Sequence, residues 1–188
     1  MFGFLVAGLA VAALISVAIF TGAMPSPLAR DFTTAQPDQG PATPPPPCPP
    51  AGMLPVAYEK VRVTVLNGTD RAGLATDAAI ALSSRGFTIL RAGNSAVTTG
   101  GVARIGFGPT GIGAAYTLAA HIDGARLALD TRKDSGVVLT VGTSYQALVD
   151  PKAVKLDATA PLKGPKNCVP LSQAKVAPPL TAKAAPKG

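Results

Sequence analysis

The chain has 188 residues, 14% of them charged, with a formal net charge of +7, 19 prolines, 20 glycines, two cysteines, one histidine and no tryptophan. That length accommodates one domain of ordinary size with appendages and excludes a large multidomain enzyme. Two cysteines and a single histidine exclude a Cys/His zinc site, and no cofactor is expected.

From Phe2 to Met24 there is no ionisable side chain, and the run FGFLVAGLAVAALISVAIF is almost wholly apolar. About 20 such residues span a bilayer core. A cleaved secretion signal is the competing reading, with Thr21-Gly22-Ala23 as its site. The apolar run is long for a signal, and no Lys or Arg precedes it. Residues 1–24 are therefore expected to be a single-pass anchor in the cell membrane.

Proline divides the remainder of the chain. Eleven prolines fall between Pro25 and Pro55, seven between Pro151 and Pro186, and only Pro109 lies between those groups. Proline lacks a backbone donor and fixes φ, so regular elements avoid it. The folded unit is thus expected at 59–150, between an extracytoplasmic proline-rich linker at 25–58 and a tail at 151–188 without a fixed fold. At about 3.1 Å per residue a proline-rich linker would reach several tens of Å.

Within the folded unit, Val61–Leu66 alternates and is β-branched, which reads as a strand. Asn67-Gly68-Thr69-Asp70 breaks it, and Thr69 or Asp70 is expected to cap a helix running to about Arg85. That helix carries Leu74, Ala75, Ala78, Ala79 and Leu82 on one face, and Gly86 stops it. Phe87–Leu90 and Val102–Phe107 read as the second and third strands. A second helix over about Gly111–Ile122 buries Ala114, Ala115, Leu118 and Ile122. Arg126–Leu129 and Val137–Val141 read as the last two strands. The order β-α-β-β-α-β-β predicts an α+β fold, a two-layer sandwich of two helices on a mainly antiparallel sheet.

Charge follows the same partition: −1 over residues 1–58, +2 over 59–150 and +6 over the tail. The tail lysines Lys152, Lys155, Lys163, Lys166, Lys175, Lys183 and Lys187 are spaced among Ala and Pro. They read either as a solvated end or as weak, salt-sensitive attraction to anionic polymers or lipid head groups. With the folded unit near neutral, nucleic acid is not an expected partner. Cys48 and Cys168 flank the folded unit beyond the apolar span. This arrangement predicts a disulfide in an oxidising compartment, against a reading as two unpaired thiols.

Three sites invite a chemical reading. Gly106, Gly108 and Gly111 match G-x-G-x-x-G after a strand and before a helix, with Asp130 where a ribose-binding acid would sit. Only one strand-helix-strand unit comes after them, and Pro109 removes a donor, so a glycine-rich capping turn is the expectation and a nucleotide site the alternative. The turn Asn67, Gly68, Thr69, Arg71, Gly73 leads into a helix N-terminus, where free amides receive anions. The competing reading is a capping turn with an unusual φ at Asn67 or Gly68. His121, beside Asp123, reads as a surface residue stabilised by the helix dipole, or as a base. No G-x-S-x-G elbow, Walker loop or HExxH helix occurs.

Val63-Thr-Val-Leu-Asn-Gly-Thr69, Gly73-Leu-Ala75 and Arg85-Gly-Phe87, with Ala114-Ala115, Leu118-Ala119, Val137–Gly142 and Tyr145, resemble the LytR C-terminal domain family over about residues 60–149. The glycine-rich stretch 106–113 departs from that pattern. In this family the domain is often appended to a LytR-CpsA-Psr phosphotransferase, for which 188 residues leave no room. The resemblance implies the stand-alone, membrane-anchored form found in actinobacteria. It also implies a non-enzymatic role in envelope integrity through cell-wall glycopolymer or an envelope protein. The turn Asn67–Gly73 is the candidate contact. The alternative is an enzyme of envelope glycopolymer assembly, with His121 or Asp130 in its chemistry.

Overall fold

The computed structural model describes residues 44–184; the expected anchor at 1–24 and the first part of the proline-rich linker lie outside them. Seven principal elements run in chain order: β1 (Arg62–Asn67), α1 (Leu74–Ser83), β2 (Thr88–Asn94), β3 (Ala103–Phe107), α2 (Ile112–Ala119), β4 (Ala125–Leu129) and β5 (Val137–Val141). Among the described residues no helix is long and apolar enough to cross a membrane.

The α+β class, the two layers and the element order agree with the sequence. The strand directions correct it. The sheet runs β2-β1-β5-β3-β4, and only β3 with β5 is antiparallel, while β1–β2, β1–β5 and β3–β4 are parallel. Each helix is a crossover between two neighbouring strands, and such a connection returns the chain in its original direction. Two β-α-β halves therefore meet at β5, giving a mixed sheet.

Alternation decides what each strand buries. Val63, Val65, Ile105, Phe107, Val137, Leu139 and Val141 point to one face, where they form a single core with Leu74, Ala78, Leu82, Ala115 and Leu118 of the helices. The alanines let both helices lie close to that face. Helix α1 begins at Gly73, which takes φ 80°, and no side chain caps it. The expected Thr69 or Asp70 cap is thus replaced by a left-handed glycine. Gly86, at φ 92°, ends the helix as expected.

The proline-rich flanks are also placed, contrary to the expectation of segments without a fixed fold. Before β1, Pro47 pairs with Val169 and Cys48 N donates to Val169 O at 2.7 Å. Cys48 and Cys168 form a disulfide with their Cα atoms 4.9 Å apart. Tyr116 Oη donates to Pro47 O at 2.8 Å, and Val56 N donates to Thr117 Oγ1 at 2.9 Å. The proline segment thus covers the outer side of α2, which explains why Gly113, Tyr116 and Thr117 are buried beside the predicted Ala114, Ala115 and Leu118.

After β5, the tail crosses the sheet face that the helices leave open. Ala177 N donates to Leu129 O at 2.7 Å and Arg104 Nη2 donates to Pro178 O at 3.2 Å. Leu180 packs on Leu66 and Val138. Ala182 pairs with Ser95, and Lys183 N donates to Asn94 O at 2.8 Å. This strap, running from β4 to β2, is a partial third layer. Its contacts are single residues at irregular spacing, so hydrophobic periodicity carries no sign of it.

Candidate functional site

The turn between β1 and α1 is built on Asn67, which is 6% exposed. Its Oδ1 accepts from Thr69 N at 3.0 Å and Thr69 Oγ1 at 2.8 Å, and its Nδ2 donates to Arg71 O at 2.6 Å. Thr69 Oγ1 accepts from Arg71 N at 3.1 Å. Arg71 Nη1 donates to Tyr145 O at 3.0 Å, which ties the guanidinium to the segment after β5. The side chains of Asn67 and Thr69 thus frame the loop.

Gly68 is required by close approach. Neither it nor Asn67 has positive φ, contrary to the expected unusual φ. A Cβ at Gly68 would lie 2.6 Å from Thr99 Oγ1 and 2.8 Å from Thr140 Cγ2. The loop 99–102 packs against the turn, with Thr99 N donating to Gly68 O at 2.8 Å.

Across from the turn stand the end of β2 and the start of the next loop. Asn67, Gly68, Thr69, Asp70 and Arg71 form one wall of a polar groove of about 450 Å³; Asn94, Ser95, Val97 and Thr98 form the other, and Lys183 of the strap closes it. The structure brings together four of the five expected site residues. Gly73 stands apart, in a neighbouring cleft of about 240 Å³ with Asn67, Gly93 and Asn94. Asn94, Ser95 and Lys183 were not legible as site residues, because they reach the turn only through strand pairing and the strap. The groove offers hydroxyls, amides and two cations, Arg71 and Lys183, with Asp70 the only acid in its walls.

The other motifs have structural roles. Gly106 faces the strap, where a Cβ would stand 3.1 Å from Leu180 Cδ1, and a Cβ at Gly108 would overlap the Arg132 carbonyl. These contacts account for both glycines as close-packed turn positions, in line with the expected capping turn. Asp130, 2% exposed, is held by Arg132: Nη2 lies 2.6 Å from Oδ2 and Nε donates to Oδ1 at 2.8 Å. Its carboxylate is engaged with that guanidinium and does not face a ribose site. Beside it, burial lowers the Arg104 pKa from its usual value, opposed by Asp130 and reinforced by Arg126.

His121 corrects the surface reading. It is 2% exposed, with its ring edge-on to both Tyr58 and Phe87 at centroid distances of 4.9 and 5.0 Å. Arg85 Nη1 donates to Nδ1 at 3.1 Å, which leaves the proton on Nε2. Burial first, and the Arg85 charge second, push its pKa down to about 4. His121 is a neutral core residue. It became so because the segment before β1 carries Tyr58 over it, a contact that helix position alone does not reveal. Nearby, burial raises the Tyr116 pKa to about 12, and its hydroxyl stays protonated as a donor.

Residues 60–145 match the family model described as LytR cell envelope-related transcriptional attenuator. They are a LytR C-terminal domain. The match ends short of the strap and starts after Cys48, so Lys183 and the disulfide belong to this chain's flanks. The soluble domain of a conserved hypothetical secreted protein from Mycobacterium marinum is similar in structure, with a TM-score of 0.51 and 28% identity over 60% of this chain and 83% of that one. No functionally curated protein matches the chain with significance.

Proposed function

We propose that this chain is an envelope module that works outside the cytoplasmic membrane by binding, with no reaction of its own. Its polar groove takes a hydroxyl-rich or anionic stretch of cell-wall glycopolymer. Residues 1–24 serve as the membrane anchor. The LytR C-terminal domain, the likeness to a secreted protein's soluble domain and the disulfide all support an oxidising, extracytoplasmic setting.

The observation that carries the reading is the convergence of three separate segments on the groove. The β1–α1 turn brings Arg71, the end of β2 brings Asn94 and Ser95, and the strap brings Lys183. Groups that accept and donate hydrogen bonds suit sugar hydroxyls, and the two cations suit phosphate or carboxylate substituents. The test is co-sedimentation of the full chain with isolated cell walls, intact or stripped of glycopolymer. Retention on intact walls, lowered several-fold by Lys183→Glu and weakened by salt, is expected. Equal retention on stripped walls would rule the groove out as a glycopolymer site.

A further inference from the structure

Gly106 of the glycine-rich motif makes a notch in the sheet face opposite the helices. It stands between Val138 of β5 and Ala128 of β4. A Cβ at Gly106 would lie 3.1 Å from Leu180 Cδ1 and 3.0 Å from Asp130 Oδ2, so the missing side chain is what admits Leu180. Leu180 fills the notch, packed on Leu66 and Val138 and 6% exposed. Its neighbours Pro178, Pro179, Thr181 and Lys183 are exposed, and Leu180 is the large side chain by which the strap is held.

The ends of the strap lie on opposite edges of the sheet. Ala177 N donates to Leu129 O on β4, at one edge. Past Leu180, Thr181 O accepts from Ala96 N at 3.0 Å, and Lys183 N donates to Asn94 O of β2, at the other edge. These bonds lay Thr181–Lys183 along the wall of the polar groove, so the exposed Lys183 side chain starts from a fixed backbone at its mouth. Leu180 lines no part of that groove.

We infer that the strap is a clasp for the polar groove: Leu180, seated on Gly106, is a positioning residue that delivers Lys183 to an anionic stretch of glycopolymer, and the bound polymer in turn holds the strap down. The inference rests on the groove being the glycopolymer site. A lysine on a loose tail must be ordered when the ligand binds, at a cost in chain entropy. Burial of Leu180 meets that cost beforehand. Coupling of this kind is reciprocal: a ligand favoured by the docked strap favours docking equally. Occupancy of the groove beside β2 is therefore felt at Ala177 on β4.

The test uses the full chain, disulfide intact, with intact cell walls for retention and soluble glycopolymer released from them for amide exchange. Leu180→Ala is expected to lower retention several-fold although its side chain lies outside the groove, and Leu180→Met to keep it. In a Lys183→Ala background, Leu180→Ala is expected to add no further loss, because it acts through Lys183. Soluble glycopolymer is expected to slow exchange at Ala177 about tenfold in the unaltered chain and to leave it unchanged in Lys183→Ala. If the unaltered chain is retained, the clasp alone is overturned by equal retention of Leu180→Ala, by a further loss in the double variant or by unchanged exchange at Ala177. Tighter retention of Leu180→Ala also overturns it, since the strap then obstructs the groove. No retention of the unaltered chain overturns the groove reading and the clasp with it.

Discussion

On one face of the sheet, α1 and α2 cover Val63, Ile105 and Leu139, all within one contiguous core. On the other, the tail segment 177–183 covers Leu66, Gly106 and Val138 through single contacts such as Leu180. The helical face is sealed by periodic residues close in sequence. The strap face is sealed by an extended segment whose contacts are far apart and few. The first should behave as the cooperative core, and the second as a locally stabilised cover whose removal leaves the core standing.

That contrast is open to measurement, beginning with the bond that ties both flanks down. Opening the Cys48–Cys168 link by paired Ser substitutions should lower stability by about 4–5 kcal/mol in the chain-entropy account, because it closes a separation of 120 residues. Denaturant unfolding checks it, and a loss under about 1 kcal/mol would mean the flanks are held by other contacts. Next, Phe107→Ala on the helical face should cost about 4 kcal/mol, since the side chain is wholly buried.

His121 supplies a test by pH. Its pKa is about 4 in the fold against about 6.5 in the unfolded chain. Between those values the unfolded chain binds the proton and the folded one does not. Stability is therefore full above pH ~6.5 and falls by roughly 3 kcal/mol as pH drops through the window to ~4. His121→Gln should remove that slope, and an unchanged slope would assign it to carboxylates. Smallest of the four, Leu180→Ala on the strap should cost about 2 kcal/mol and speed exchange at Ala177 and Lys183 without touching that of β5. If it costs as much as Phe107→Ala, the two faces form one core and the contrast collapses.

Legibility divides along the same line. Strand and helix existence, the alanine faces and the stop at Gly86 were readable because each rests on neighbours within a few residues. The Asn67–Arg71 turn was readable as the break after β1 for that reason too. The parallel pairing of β1 with β5 was not, since nothing local tells β5 to pair between β1 and β3. His121 was misplaced because its burial depends on Tyr58, far along the chain. The G-x-G-x-x-G spacing was read as a glycine-rich turn, with a nucleotide site as the alternative, but the close neighbours that each glycine answers, such as Leu180 and the Arg132 backbone, lie far along the chain and could not be read.

Local sequence was enough to settle the order of elements, the apolar stripe of each helix and the confinement of proline to the flanks. Those features are written in periodicity and composition, which act over a turn or two of chain. Strand directions, the strap and the completion of the groove by Lys183 were settled by long-range packing instead. Each of these depends on contacts between segments tens of residues apart, and an extended proline-rich segment that buries one residue here and another there leaves no repeating signal to read.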